Sequence, residues 1–169
     1  MSRFLPLLLI LLLAACQQAP QQPVDWAFTG KLGVRTPEHK LNAALRWQQQ
    51  GEQFDLQLSG TLGISAARIS GREDFITLTQ AGREPISGDP DQLTRYHLGY
   101  PLPIQHLDSW LLGKADPEAD HEWLDDSTLA QAGWQIQFRR DDRGLPRRLD
   151  ISGEDINLRL VIRDWIQLP

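Results

Sequence analysis

The chain has 169 residues, a formal charge of −5, 41% hydrophobic residues and six tryptophans; setting aside the first 15 residues as an export leader leaves 154 residues and a charge of −6, since only Arg3 is lost. That length suits one domain, able to bury about 70% of its unfolded surface without staples. The single cysteine, Cys16, excludes a disulfide scaffold, the negative charge excludes a nucleic-acid module that must neutralise phosphates, and the apolar content excludes long disorder.

Arg3 supplies a positive start, and Phe4 to Ala15 is an apolar run of 12 residues broken only by Pro6. A membrane-spanning helix needs about 18 or more, so the run reads as a cleaved signal over residues 1–15. Leu13-Ala14-Ala15-Cys16 resembles the lipobox of bacterial lipoproteins, in which the cysteine becomes the first mature residue and carries the lipid. Several acyl chains at about 0.8 kcal/mol per buried methylene make a stable anchor. Gln17 stands where an aspartate would resemble the inner-membrane retention signal of enteric bacteria, so the outer membrane is the expected destination. Residues 16–24, rich in glutamine and proline, bury too little apolar surface to order themselves and read as a tether; residues 25–169 read as a single domain.

From Trp26 the apolar period is two. Trp26, Phe28, Leu32 and Val34 share one face, opposite Thr29, Lys31 and Arg35. Leu41, Ala43, Leu45 and Trp47 repeat the pattern, and Phe54, Leu56 and Leu58 continue it after the turn Gln50-Gly51-Glu52. A less regular strand from about Ile64 to Ser70 and another from Phe75 to Gln80 complete an antiparallel meander. Asp89-Pro90-Asp91-Gln92 then combines an N-cap, a proline at the first helical position and a capping-box glutamine, and Gly99 marks the stop. After Tyr100-Pro101-Leu102-Pro103, the residues Ile104, Leu107, Trp110 and Leu111 recur at helical spacing up to Gly113. Lys114 to Asp126 reads as an acidic, turn-rich stretch, and strands resume at Trp134–Phe138, Leu149–Ile151 and Ile156–Ile162, ending at Trp165. The implied fold is mainly β with two short helices: an antiparallel sheet that curls, with helices at one face or mouth.

Catalytic constellations are missing, so the reading is not an enzyme. His121-Glu122-Trp123-Leu124-Asp125 starts like a zinc-helix motif but has aspartate where the second histidine belongs. Gly63-Ile64-Ser65-Ala66-Ala67 lacks the last glycine and the strand-to-helix setting of a nucleophile elbow. His39, His97 and His106 are scattered, and Asp116, Glu118 and Asp120 lack the glycine and terminal glutamate of a calcium loop, which leaves a solvated acidic loop. No cofactor or metal is expected.

Gly99-Tyr100-Pro101-Leu102-Pro103-Ile104 with Leu107 and Trp110-Leu111-Leu112-Gly113 resembles a region of the LolB family of outer-membrane lipoprotein receptors. So do Trp26-Ala27-Phe28-Thr29-Gly30, Trp47, Gly60-Thr61-Leu62-Gly63 and Asp164-Trp165-Ile166, in the same order over nearly the whole mature chain, although the loops are shorter than in enteric members. The resemblance implies a half-open antiparallel β-barrel with helices covering or plugging one mouth. It also implies an outer-membrane, periplasm-facing monomer that takes triacylated lipoproteins from the carrier LolA and inserts them among outer-membrane phospholipids. On that reading Phe28, Leu45, Trp47, Phe54, Leu56 and Leu58 line an acyl-chain cavity whose movable wall is Ile104, Leu107, Trp110 and Leu111. Cys16 bears the lipid, and Leu62, an apolar residue in a glycine-flanked turn, matches the protruding residue this family uses for membrane insertion. A tethered lipid or glycolipid carrier and a filled-barrel assembly scaffold are the competing readings.

Overall fold

The structure, a computed structural model, describes residues 23–60 and 67–169. Cys16 and Leu62 lie outside the described residues. Strands β1 (Trp26–Arg35), β2 (Lys40–Gln50), β3 (Gln53–Gly60), β4 (Ala67–Gly71), β5 (Ile76–Gln80) and β6 (Ile86–Gly88) form an antiparallel meander. Helices α1 (Pro90–Leu98) and α2 (Ile104–Leu111) follow, and then β7 (His121–Asp125), β8 (Thr128–Gln131), β9 (Trp134–Arg140), β10 (Pro146–Ser152) and β11 (Asn157–Gln167) form a second meander. β11 pairs with β1, so one sheet of eleven strands runs β6-β5-β4-β3-β2-β1-β11-β10-β9-β8-β7. Its edges, β6 and β7, do not pair with each other, and the barrel is therefore half-open.

The curl has a local cause at the centre of the sheet. The β1–β11 register slips between Ala27 and Phe28 and again between Thr29 and Gly30, and such bulges bend a strand and increase its twist. Gly30 permits the close passage that results, since a Cβ there would stand 2.2 Å from the Val161 carbonyl oxygen. Inward side chains of both halves, among them Phe28, Trp47, Ile69, Leu129, Ile136 and Leu149, then join one apolar cluster.

The first helix forms as its sequence predicts. Asp89 accepts a hydrogen bond from the Gln92 amide at 2.9 Å, Pro90 opens the helix, and Gly99 closes it at φ 85°. The α1–α2 connection is fixed by Thr94, whose hydroxyl donates to the Pro90 carbonyl at 2.8 Å and accepts from the Leu102 amide at 3.1 Å. Helix α2 turns Ile104, Leu107, Trp110 and Leu111 into the shared core and ends before Gly113, at φ 74°.

Two sequence expectations are corrected, and two short strands are added. The turn-rich stretch contains β7, which escapes a periodicity search because it is an edge strand whose five residues are all exposed. β6 and β8, three and four residues long, are too short to show alternation. Phe75 is not the first residue of a strand but an exposed turn residue ahead of β5. The described part of the irregular strand is Ala67–Gly71, and residues 64–66 lie outside the described residues.

The antiparallel registers sort every turn to one of two ends. Val24, the turns at 51–52, 72–75, 126–127 and 141–145, and the end of β11 at Gln167 lie together and define the tether end. The turns at 36–39, 81–85, 132–133 and 153–155, together with Gly60 and Ala67, lie at the other, the mouth end. Helix α1 rises from the tether end beside Gly88, and α2 returns to it, where Gly113 offers its carbonyl to Arg140 at 3.1 Å.

Candidate functional site

Nine of the ten sequence-predicted cavity residues are buried: Phe28, Leu45, Trp47, Phe54, Leu56, Ile104, Leu107, Trp110 and Leu111. The tenth, Leu58, is half-buried against the same cluster, beside Leu45 and Ala67 at the mouth end of the sheet. The structure thus brings all ten to one side of the sheet, where α2 fills the concavity; Trp110 and Leu111 are 0% exposed. Toward the tether end the sheet side of this core is aromatic. Trp26 stacks on Phe28 and Trp47 with centroids 6.3 and 6.1 Å apart, and Trp47 stacks on Phe54 at 4.9 Å. The Trp47 indole NH is satisfied by Gln49 Oε1 at 3.0 Å.

At the mouth end a cavity of about 610 Å³ opens between the end of α1 and the strand turns. Tyr100, Pro101, Trp134, Gly153 and Ile156 are among its walls. Burial raises the Tyr100 hydroxyl pKa, so it stays a neutral donor. Trp134 lies across Gly153 so closely that a Cβ there would meet the indole ring at 2.7 Å. The residues that carried the family resemblance, Gly99 to Pro103, therefore cross the mouth directly above the greasy interior.

What holds α2 in place was not visible in the sequence. Gln131, on β8, accepts from the Trp110 indole NH at 2.8 Å and from the Asp116 amide at 2.9 Å, and it donates to the carbonyls of Asp116 at 2.7 Å and Ala119 at 2.8 Å. Asp116 Oδ2 lies 2.5 Å from His106 Nδ1, and its other oxygen accepts from the Glu118 amide at 2.9 Å. His106, Asp116 and Gln131 are 9%, 6% and 3% exposed. Asp116 is therefore no solvated loop acid, as expected from its sequence setting, but a buried partner; its histidine lies ten residues away, a distance no local motif spans. Both side-chain ties of α2 reach toward β8 and the loop before β7.

Across the opening, the 72–75 turn faces the same helix. Partial burial, together with the carboxylates of Asp108, Asp116 and Glu118, pushes the Glu73 pKa up to about 7. Among the described residues no group of three or more histidine, cysteine or acidic side chains is placed to hold a metal ion, and no helix is long and apolar enough to cross a membrane.

Comparison with known proteins agrees with this architecture. A crystal structure of a LolA superfamily protein from Nitrosomonas europaea superposes with a TM-score of 0.55 over 90% of this chain and 89% of that one, at 10% identity, which is a likeness of fold alone. An outer-membrane lipoprotein LolB from Pseudomonas paraeruginosa is 39% identical over 150 residues, covering 83% of this chain and 73% of the relative. Another from Alkalilimnicola ehrlichii is 35% identical over 156 residues, 86% of this chain and 78% of the relative. The family description "Outer membrane lipoprotein LolB" matches residues 24–165, and the chain belongs to that family of lipid-anchored outer-membrane proteins.

Proposed function

We propose that this protein accepts lipoproteins from the periplasmic carrier LolA and passes them into the outer membrane, holding their acyl chains where α2 now packs. The observation that carries this reading is the convergence of the ten apolar residues on the concave side of a sheet that stays open between β6 and β7. Family membership supports the general role in lipoprotein localisation. Cys16 supplies the lipid anchor, and no cofactor or nucleotide takes part.

The energetics suit a displaceable plug. Buried Trp110 hides about 150–250 Å² of side chain, so lifting it costs about 4–6 kcal/mol at 25 cal/mol per Å². About eight methylenes taken out of water, at about 0.8 kcal/mol each, offset that cost, and a full acyl chain exceeds it. Displacing the whole of α2 also exposes Ile104, Leu107 and Leu111, at about 1.5–3 kcal/mol each, so the several acyl chains of a triacylated cargo act together in lifting it. Transfer without an energy source follows an affinity gradient, in which about 1.4 kcal/mol of tighter binding shifts occupancy tenfold.

The deciding experiment mixes a soluble form starting at residue 17 with LolA loaded with a labelled lipoprotein. The label moves to this protein if the reading holds, and cargo left on LolA would count against it. Leu62→Glu is expected to accept cargo normally but release it poorly into liposomes. Tight packing around Trp110 favours a second reading, a filled-barrel scaffold. A scaffold binds no fluorescent fatty acid, whereas a carrier does.

A further inference from the structure

The outward face of the central strands carries charge that packing of the core does not explain. The chain is net negative, but its charges are segregated, with six acids between Asp116 and Asp126. On the convex side of β1, β2, β10 and β11 lies a cavity of about 500 Å³ whose charged walls are four cations, Arg35, Lys40, Arg148 and Arg159, and a single carboxylate, Asp150. The acids of the neighbouring turns, Glu38, Glu154 and Asp155, line the mouth cavity instead. The groove therefore holds an excess of positive charge on the face turned away from the acyl core.

Asp150 is fully engaged. Its oxygens accept from Arg148 Nε at 2.6 Å and Nη2 at 3.0 Å and from Arg159 Nε at 2.7 Å, which leaves both terminal NH2 groups of Arg159 free. Burial alone would raise its pKa, but these bonds hold the carboxyl below the ordinary carboxylate range, so it stays ionised and aims both guanidinium groups. Arg35 and Lys40 have no carboxylate partner among the described residues, and the β1–β2 register sets them directly opposite each other. Like charges in that position weaken a sheet. Gly33 lies on the groove floor, opposite Asn42 on one side and Arg159 on the other, clear of both β1 bulges and without a positive φ. A glycine inside a regular strand also costs stability, and it marks a place where a ligand comes close to the backbone. Two features that lower stability thus meet beside an open cationic floor.

We propose that this groove binds a phosphate-bearing ligand, with Arg35, Lys40 and Arg159 on the phosphate oxygens and Asn42 and Gln137 as neutral partners for attached hydroxyl groups. A guanidinium fork matches phosphate oxygens two at a time, and Lys40 adds a point charge. The ligand chemistry is a phosphomonoester, carried by a lipid head-group or by a soluble phosphate ester. The site is independent of the acyl-chain reading, because it occupies the other face of the sheet.

The test holds the acylated full chain in phosphatidylcholine bicelles containing phosphatidic acid, adds glycerol 1-phosphate, and follows both phosphomonoester resonances by phosphorus NMR. Saturable broadening of the phosphatidic acid line identifies a lipid source, and saturable broadening of the glycerol 1-phosphate line a soluble one. Arg35→Gln with Lys40→Gln is expected to weaken binding by about tenfold or more and, because it removes a like-charge pair, to leave the melting temperature unchanged or raised. Lys31→Gln with Arg46→Gln takes two charges from the same face outside the groove and is expected to leave the affinity unchanged. Equal weakening by both double variants, the mark of a diffuse positive surface, would overturn the inference, as would a failure of either resonance to respond to the unsubstituted chain.

Discussion

The two ends of the sheet are built from the same kind of turn yet expose different chemistry. At the mouth end the turns at 36–39 and 153–155 are polar and the aromatic side chain is drawn inward, with Trp134 packed on Gly153 beside the half-buried Tyr100. At the tether end aromatic and aliphatic side chains point into solvent, and an arginine rather than a glycine supports the tryptophan. The helices link the two: α1 rises beside β6, α2 descends bonded toward β8, and Gly99 to Pro103 join them at the mouth.

The largest expected effect tests whether the interior between the ends is one packed body. Trp110→Ala removes a fully buried indole and leaves Gln131 short of a donor, so stability falls by about 3–5 kcal/mol in urea unfolding. If α2 is a plug for an acyl site, the same variant binds a fluorescent fatty acid more readily, because the cost of lifting the helix is already removed. A loss of both stability and binding would instead make Trp110 part of the binding wall.

Next in size is the mouth itself. Gly153→Ala pushes a methyl group into the Trp134 ring, and the indole must shift or the turn must move, at about 1–3 kcal/mol. The expected readout is a lower melting temperature together with altered Trp134 exposure. Gly144→Ala, in a tether-end turn where nothing lies within 4 Å of a new Cβ, meets no such contact and pays only for its positive φ of 80°. Smaller again is Asp89→Ala, which strips the N-cap of α1 and costs about 1 kcal/mol. Because α1 begins beside β6 at the tether end, its fraying reaches the mouth only through Thr94 and Leu102; unchanged cargo acceptance in this variant would show that the α1 start is not part of the opening motion.

What could be read from the chain alone divides along physical lines. Asp89-Pro90 and Gly99 act within one helical turn, so the cap and stop of α1 were legible, and the period-two runs of β1, β2, β3 and β11 were legible because each has one wet and one dry face. β7 was not, since a strand exposed on both faces carries no alternation. The α2 tie was not either: Trp110 and Gln131 are 21 residues apart, and His106 and Asp116 ten, so their partnership exists only after the sheet has curled. The exposed apolar side chains toward the tether end are the extreme case. Phe75, Leu124 and Ile166 are single residues in three unrelated turns and strand ends, and only the antiparallel register puts them at one end.

The smallest effect is the most specific to the tether end. The Glu73 carboxyl ordinarily titrates near 4.5, but in the folded protein its pKa is pushed up to about 7 by burial and by Asp108, Asp116 and Glu118. Between those two values the folded chain holds a proton that the unfolded chain has released, so stability declines as pH rises through that window, and the loss is complete above about 7. Glu73→Gln imitates the protonated form at every pH. Its stability is therefore expected to match the parent at pH 4 and exceed it at pH 8, by less than about 1 kcal/mol because the side chain is largely exposed and screened, read as a small rise in melting temperature at pH 8 alone. A gain at both pH values would place the effect in packing rather than in charge.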